Sequence, residues 1–133
     1  MTEYNALVAE FKNLTQEQAE STVTLPVAED EWDVRPQSVS YGIVSMDFES
    51  GSAIGDGLKK DEAFEGSFDL FSPSRDGEGW IQLIRGTLEK HCGSCWSLNM
   101  HAYERSTGLF HWEWTFEVTN ATAEEGGNDA VQV

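Results

Sequence analysis

From Phe110 to Val118 the chain places Phe110, Trp112, Trp114, Phe116 and Val118 at alternate positions, with His111, Glu113, Thr115 and Glu117 between them. A side-chain period of two belongs to a strand with one dry and one wet face. Trp96, Leu98, Met100 and Ala102 repeat the pattern upstream against Ser97, Asn99, His101 and Tyr103, and Glu104 to Gly108 supplies a turn. The expectation is an antiparallel hairpin with these apolar residues on one face. Such a face is not stable in water on two strands alone, so the rest of the chain must supply more strands and a covering layer.

The upstream sequence offers both. Tyr4, Leu7, Val8, Phe11 and Leu14 recur at three- and four-residue steps, the stripe of an amphipathic helix. Thr15-Gln16-Glu17-Gln18 resembles a capping box, predicting that the helix restarts there or runs on to about Glu20. Ser21 to Ser38 reads as an extended connection, broken by Pro26 and Pro36, with a possible short strand at Val23 and Leu25 and with Val27 and Trp32 tucked into the core. Val39, Tyr41 and Ile43 alternate in one phase, then Val44, Met46 and Phe48 in the other, which predicts a bulge or a strand covered on both faces. Ser50 to Asp61, with Gly51, Gly55 and Gly57, reads as a long mobile loop. Phe64, Phe68 and Leu70 resume the alternation, with Gly66 as a candidate bulge. Trp80, Ile81, Ile84 and Leu88 then form a helical stripe that ends at Glu89-Lys90-His91, just before Gly93. The predicted fold class is α+β: helix, hairpin, helix, hairpin, giving an antiparallel sheet of four or five strands covered by two helices. Residues 1–119 form one domain in this reading, and 120–133, rich in Glu, Gly and Asp, a flexible acidic tail.

The 133 residues include five Trp, seven Phe and three Tyr, enough for a core without disulfide or metal staples. With 24 acidic against 8 basic residues, net −16, binding to nucleic acid or anionic membrane through a basic patch is excluded as an expectation. The first residues show neither a charged nor an apolar signal region, and no apolar run spans a bilayer, so a soluble protein made in the cytoplasm is expected. Asn13-Leu14-Thr15 and Asn120-Ala121-Thr122 then count as chance matches to the glycosylation pattern.

Two constellations bear on chemistry. Cys92-Gly93-Ser94-Cys95 has the spacing of redox and zinc motifs, but it follows a helix, whose C-terminal dipole opposes a thiolate. Zinc would need further ligands from His91, His101 and His111. The reading preferred over metal and redox is a helix-to-strand turn capped by Gly93, with Cys95 buried. His101 and His111 occupy corresponding polar positions of the hairpin and are expected to be cross-strand neighbours at the surface. No nucleophile motif, phosphate-binding loop or metalloprotease helix occurs, Gly55-Asp56-Gly57 being too short to cradle phosphate, so no catalytic residue, cofactor or metal is assigned.

The order of features resembles the small tail-terminator and tail-completion proteins of long-tailed bacteriophages. The matching pieces are a short N-terminal helix, Leu25-Pro26-Val27-Ala28 followed by Trp32, Tyr41-Gly42-Ile43-Val44 after Pro36, and a Gly-Asp-Gly loop at Gly55 to Gly57. A strand ending Phe68-Asp69-Leu70-Phe71, a helix, and a last strand over Leu109 to Val118 complete the likeness, which covers roughly residues 4 to 118. The Trp-rich last strand, the CxxC and the acidic tail depart from it. The resemblance implies a structural virion protein of the tail and neck that caps the tail tube as a hexameric ring and joins it to the head connector or stopper. DNA would pass through its lumen without specific binding. Copies carrying −16 each must meet through apolar groups or the few Lys and Arg. Contacts between rings or subunits are placed on Ile54, Leu58, Lys59 and Lys60, in the Gly-rich loop. The rival readings are another neck protein, an acidic DNA-mimic inhibitor, and a metal or enzyme site built on Cys92 and Cys95.

Overall fold

The computed structural model describes residues 2–53 and 59–119, with side chains for 3–47 and 63–119. Helix α1 covers Thr2–Phe11 and is followed by a small hairpin, β1 (Thr15–Gln18) and β2 (Ser21–Thr24). The main sheet uses β3 (Val27–Glu29), β4 (Tyr41–Ala53), β5 (Lys59–Ser72), β6 (Trp96–Glu104) and β7 (Leu109–Thr119), in the order β3-β4-β5-β7-β6. Helix α2, Trp80–Cys92, links β5 to β6. The architecture is α+β, as the sequence predicts, and every pairing in the main sheet is antiparallel except that of β3 with β4.

The aromatic alternation of β7 produces the core. Trp112, Trp114, Phe116 and Val118 are all buried, in one cluster with Phe64, Phe68 and Leu70 of β5, Tyr4, Leu7, Val8 and Phe11 of α1, and Trp80, Ile84 and Leu88 of α2. Phe11 stacks on Phe68 at 4.2 Å between ring centres, and Tyr4 packs against Phe64 and Phe116. Gly66 is required by this packing: a Cβ there would lie 2.8 Å from the Phe116 ring and closer still to the Ser45 carbonyl oxygen. Helix α2 starts after a 3-10 turn at Gly77–Gly79, where the Asp76 side chain accepts from the Glu78 N–H, and ends at Gly93 with φ 61°. The C-terminal cap is the one the sequence predicts.

Several expectations are corrected. Thr15 to Glu20 is not helical: Leu25 N–H donates to the Leu14 carbonyl, Ala19 turns the chain with φ 54°, and the segment forms the β1–β2 hairpin. Its Thr and Gln residues satisfy a short two-stranded ladder as readily as a helix start, so local composition alone did not decide. Val27 lies in a parallel edge strand rather than a connection without regular structure. In β4 the phase change has two causes. Tyr41 is buried on the face away from the helices and Val44 on the helix face, so the strand is covered on both sides at its start; the bulge comes later, at Asp47. Gly66 lies opposite that bulge rather than forming it. The segment read as a loop from Ser50 to Asp61 is largely ladder, with Ser50↔Ala63, Gly51↔Glu62 and Ala53↔Lys59 paired.

The largest correction concerns β6. Trp96 and Leu98 pair with Phe116 and Trp114, but Met100 pairs with Glu113, leaving Asn99 as an extra residue. Asn99 donates through its side chain to Glu113 at 2.6 Å, which fits a bulge that points it across the strand. One inserted residue reverses the parity of everything after it. His101 therefore faces the helix side and stacks on Trp112 at 4.6 Å, and Tyr103 packs on Phe110 at 4.9 Å, while Met100 and Ala102 turn to the opposite face. His101 and His111 lie on opposite faces and are not neighbours.

Candidate interaction surfaces

The face of the sheet turned away from the helices gathers acidic residues from different strands. Pairing places Ser67↔Thr115, Asp69↔Glu113 and Glu65↔Glu117 side by side, with Glu104 at the end of β6. Asp47, at the β4 bulge, has its carboxyl pKa raised, first by desolvation and then by the charges of Glu113, Asp69 and Asp30, which outweigh a hydrogen bond from Ser67. The alternation along β5 and β7 predicts a polar face, but the carboxylates look scattered in the sequence and only the β5–β7 pairing brings them together.

At its upper corner three rings stack across adjacent strands: Tyr41 on Phe71 at 5.0 Å, and Phe71 on His111 at 4.1 Å. His111 is held from both ends, Nε2 at 2.6 Å from Asp69 Oδ1 and Nδ1 at 3.1 Å from Glu104 Oε2. A neutral imidazole has one N–H, and two carboxylate acceptors call for two, so the pair selects the imidazolium. Burial alone would lower the His111 pKa; hydrogen bonds and charge from Asp69, then Glu104, outweigh it and raise the value above 6.5. With both nitrogens engaged, neither is a free base, and the group acts as a cationic clasp among carboxylates.

A second clasp joins the helices. Glu10 of α1 accepts from Thr87, from Lys90 at 2.9 Å and from His91 at 3.0 Å, all on α2, while His91 Nδ1 also lies 3.8 Å from Glu3. Desolvation acts against the Glu10 carboxylate, but the bonds from His91, Lys90 and Thr87 prevail and lower its pKa. These groups fasten the helices together.

The CxxC is a helix-to-strand turn in which the Cys95 N–H donates to the Cys92 carbonyl at 2.9 Å. The burial is the reverse of that expected: Cys92 is buried and Cys95 exposed, and the two are not bonded. Cys92 is the last helical residue and its side chain joins the core, whereas Cys95 follows the cap and points outward. Desolvation, then the nearby Cys95 and Glu117, push the Cys92 thiol up to about 12. Among the described residues no group of His, Cys, Asp and Glu has the geometry of a metal site.

Of the residues singled out for contacts, Ile54 and Leu58 lie outside the described residues. Lys59 and Lys60 open β5, in the ribbon it makes with the end of β4, rather than in a loop. Sequence reasoning missed the joining of Asp69, His111 and Glu104. Pairing β5 with the last strand would have brought Asp69 to His111, but Glu104 required knowing that Asn99 is a bulge. Among the described residues no helix is long and apolar enough to cross a membrane. No protein-family model and no curated protein matches the chain.

Proposed function

We propose that the chain is a structural virion protein, the terminator of a long-tailed bacteriophage tail, which caps the tube as a ring and joins it to the head connector. The observation that supports this most is the β4–β5 ribbon. Its rungs from Gly51↔Glu62 to Ala53↔Lys59 continue past Ala63↔Thr119, where the described part of β7 ends, and β3 covers β4 only from Gly42 to Val44. Among the described residues no third strand pairs with this end of the ribbon, and a two-stranded ribbon is marginal alone and gains stability by lying against a partner. In a ring, that partner is a neighbouring copy or the adjoining tube or connector protein, and Lys59 and Lys60 bring positive charge to copies that otherwise repel. The acidic sheet face suits a lumen, because its rows of carboxylates repel passing DNA phosphates. Deletion of Gly55 to Lys60 tests the proposal: a folded protein that no longer stops tails at normal length is expected, and tails of normal length would overturn it.

One observation favours a second reading. Carboxylates that look scattered in the sequence are collected by the pairing on one face, at Glu65, Asp69, Glu113 and Glu117. Strand neighbours stand about 4.8 Å apart and alternate residues along a strand about 7 Å apart, giving rows of negative charge. An acidic DNA mimic would use such rows to block a nuclease. Inhibition of DNA cleavage that disappears in the E65Q/E117Q variant would favour that reading over the tail terminator.

A further inference from the structure

Strand β6 lies at one edge of the main sheet, and among the described residues no strand pairs with its outer side. A nine-residue edge leaves a row of outward-pointing N–H and C=O groups, a template for another strand. The second half of this edge is not blunted by its sequence: from Met100 to Glu104 there is neither Pro nor Lys, and Glu104, its one carboxylate, is held by His111. The bulge at Asn99 bends the strand before that stretch rather than within it. Aromatic side chains beside the edge are open to solvent. Tyr103 is 54 % exposed, and His101 is exposed although it stacks on Trp112. In a chain with 24 acidic residues, an edge whose one carboxylate already has a cation is a place where two copies can approach with little repulsion.

We propose that this edge binds a second copy of the chain, β6 against β6, antiparallel about a two-fold axis through Ala102. Beyond the bulge, partners that share a face must both have odd or both have even numbers, which restricts the register. With Ala102 on the axis, Met100 meets Glu104, His101 meets Tyr103, and Arg105 comes opposite Asn99 of the second copy. The two His101–Tyr103 pairs cover each other's rings on the helix side. Arg105, which forms no ion pair among the described residues, is brought beside Glu113 of the second copy, the carboxylate that Asn99 holds. No carboxylate faces another. An axis at His101 would set that histidine against itself, and an axis at Tyr103 would set His101 against Arg105, so the Ala102 register has the fewest conflicts. The pairing does not rest on the ring reading, since it joins copies two at a time whatever they cap.

The axis is tested by exchanging charge at Ala102, an exposed position where a new side chain should not disturb the fold. Light scattering on the full chain, in about 0.3 M salt to screen the distant carboxylates, should show the mass rising from one chain to two as concentration approaches about 1 mM. A102K and A102D each place like charges on the axis and should weaken pairing at least about tenfold, with melting temperatures near that of the parent. An equimolar mixture of the two variants should regain the two-chain mass, because Lys then faces Asp. A parent that keeps the one-chain mass, a variant that pairs as the parent does, or a mixture that stays at the one-chain mass would each overturn the assignment. A six-chain parent unaffected by A102K would remove the β6 pairing and leave the ring reading in place.

Discussion

The two faces of the sheet are built from the same strands by different physics. Toward the helices, Trp112, Trp114, Phe116, Phe68 and Leu70 fill space, and the stability they give comes from excluded water and close contact. On the other face, Asp69 and Glu104 clasp one histidine, and what stability there is depends on protons and geometry. The helix face should therefore respond to lost volume and the open face to pH. A surface that has satisfied only part of its charge internally is also the one left to meet a partner.

The largest effect is expected from Trp114→Ala, which should cost about 3–5 kcal/mol in denaturant unfolding, while Thr115→Ala on the adjoining open face should cost under about 1 kcal/mol. Similar losses would erase the contrast between the faces. Gly66→Ala tests close approach rather than volume: the added methyl must displace the Phe116 ring or the Ser45 carbonyl, at about 1–3 kcal/mol. A neutral outcome would mean that the β4 bulge absorbs the methyl. His111→Gln removes a cation clasped by two carboxylates, and a loss of about 1–3 kcal/mol is expected near pH 6. The smallest effect concerns the two thiols. Cys95 should react with a maleimide in the native protein while Cys92 waits for unfolding, with little change in stability from Cys95→Ser. Equal labelling rates would contradict the burial described for the turn.

Much of the helix face was legible beforehand, because its signals are local and repeated. The alternation of β7, the stripe of α1 and the Gly93 cap each depend on neighbours within a few residues, and each leads to the structure observed. The open face was legible only as a set of polar positions. Its internal arrangement depends on register, and register turned on Asn99, whose side chain bonds Glu113 and whose presence as an extra residue moved His101 away from His111. A one-residue bulge carries no periodic signature of its own, so the hairpin appeared regular. The β1–β2 hairpin shows the converse, a local helix-start signal overridden when Leu14 and Leu25 join the core.

The difference between the faces is tested most directly by unfolding free energy measured from pH 5.5 to 9 in the parent and in His111→Gln. A histidine whose pKa is raised on folding stabilises fully below its unfolded value of about 6.5 and loses that contribution as pH rises through the folded value. The parent should exceed the variant most at the acid end, and the gap should shrink steadily toward pH 9. A gap that stays constant, or widens with rising pH, would show that His111 is held by packing alone and that the open face is not organised by charge.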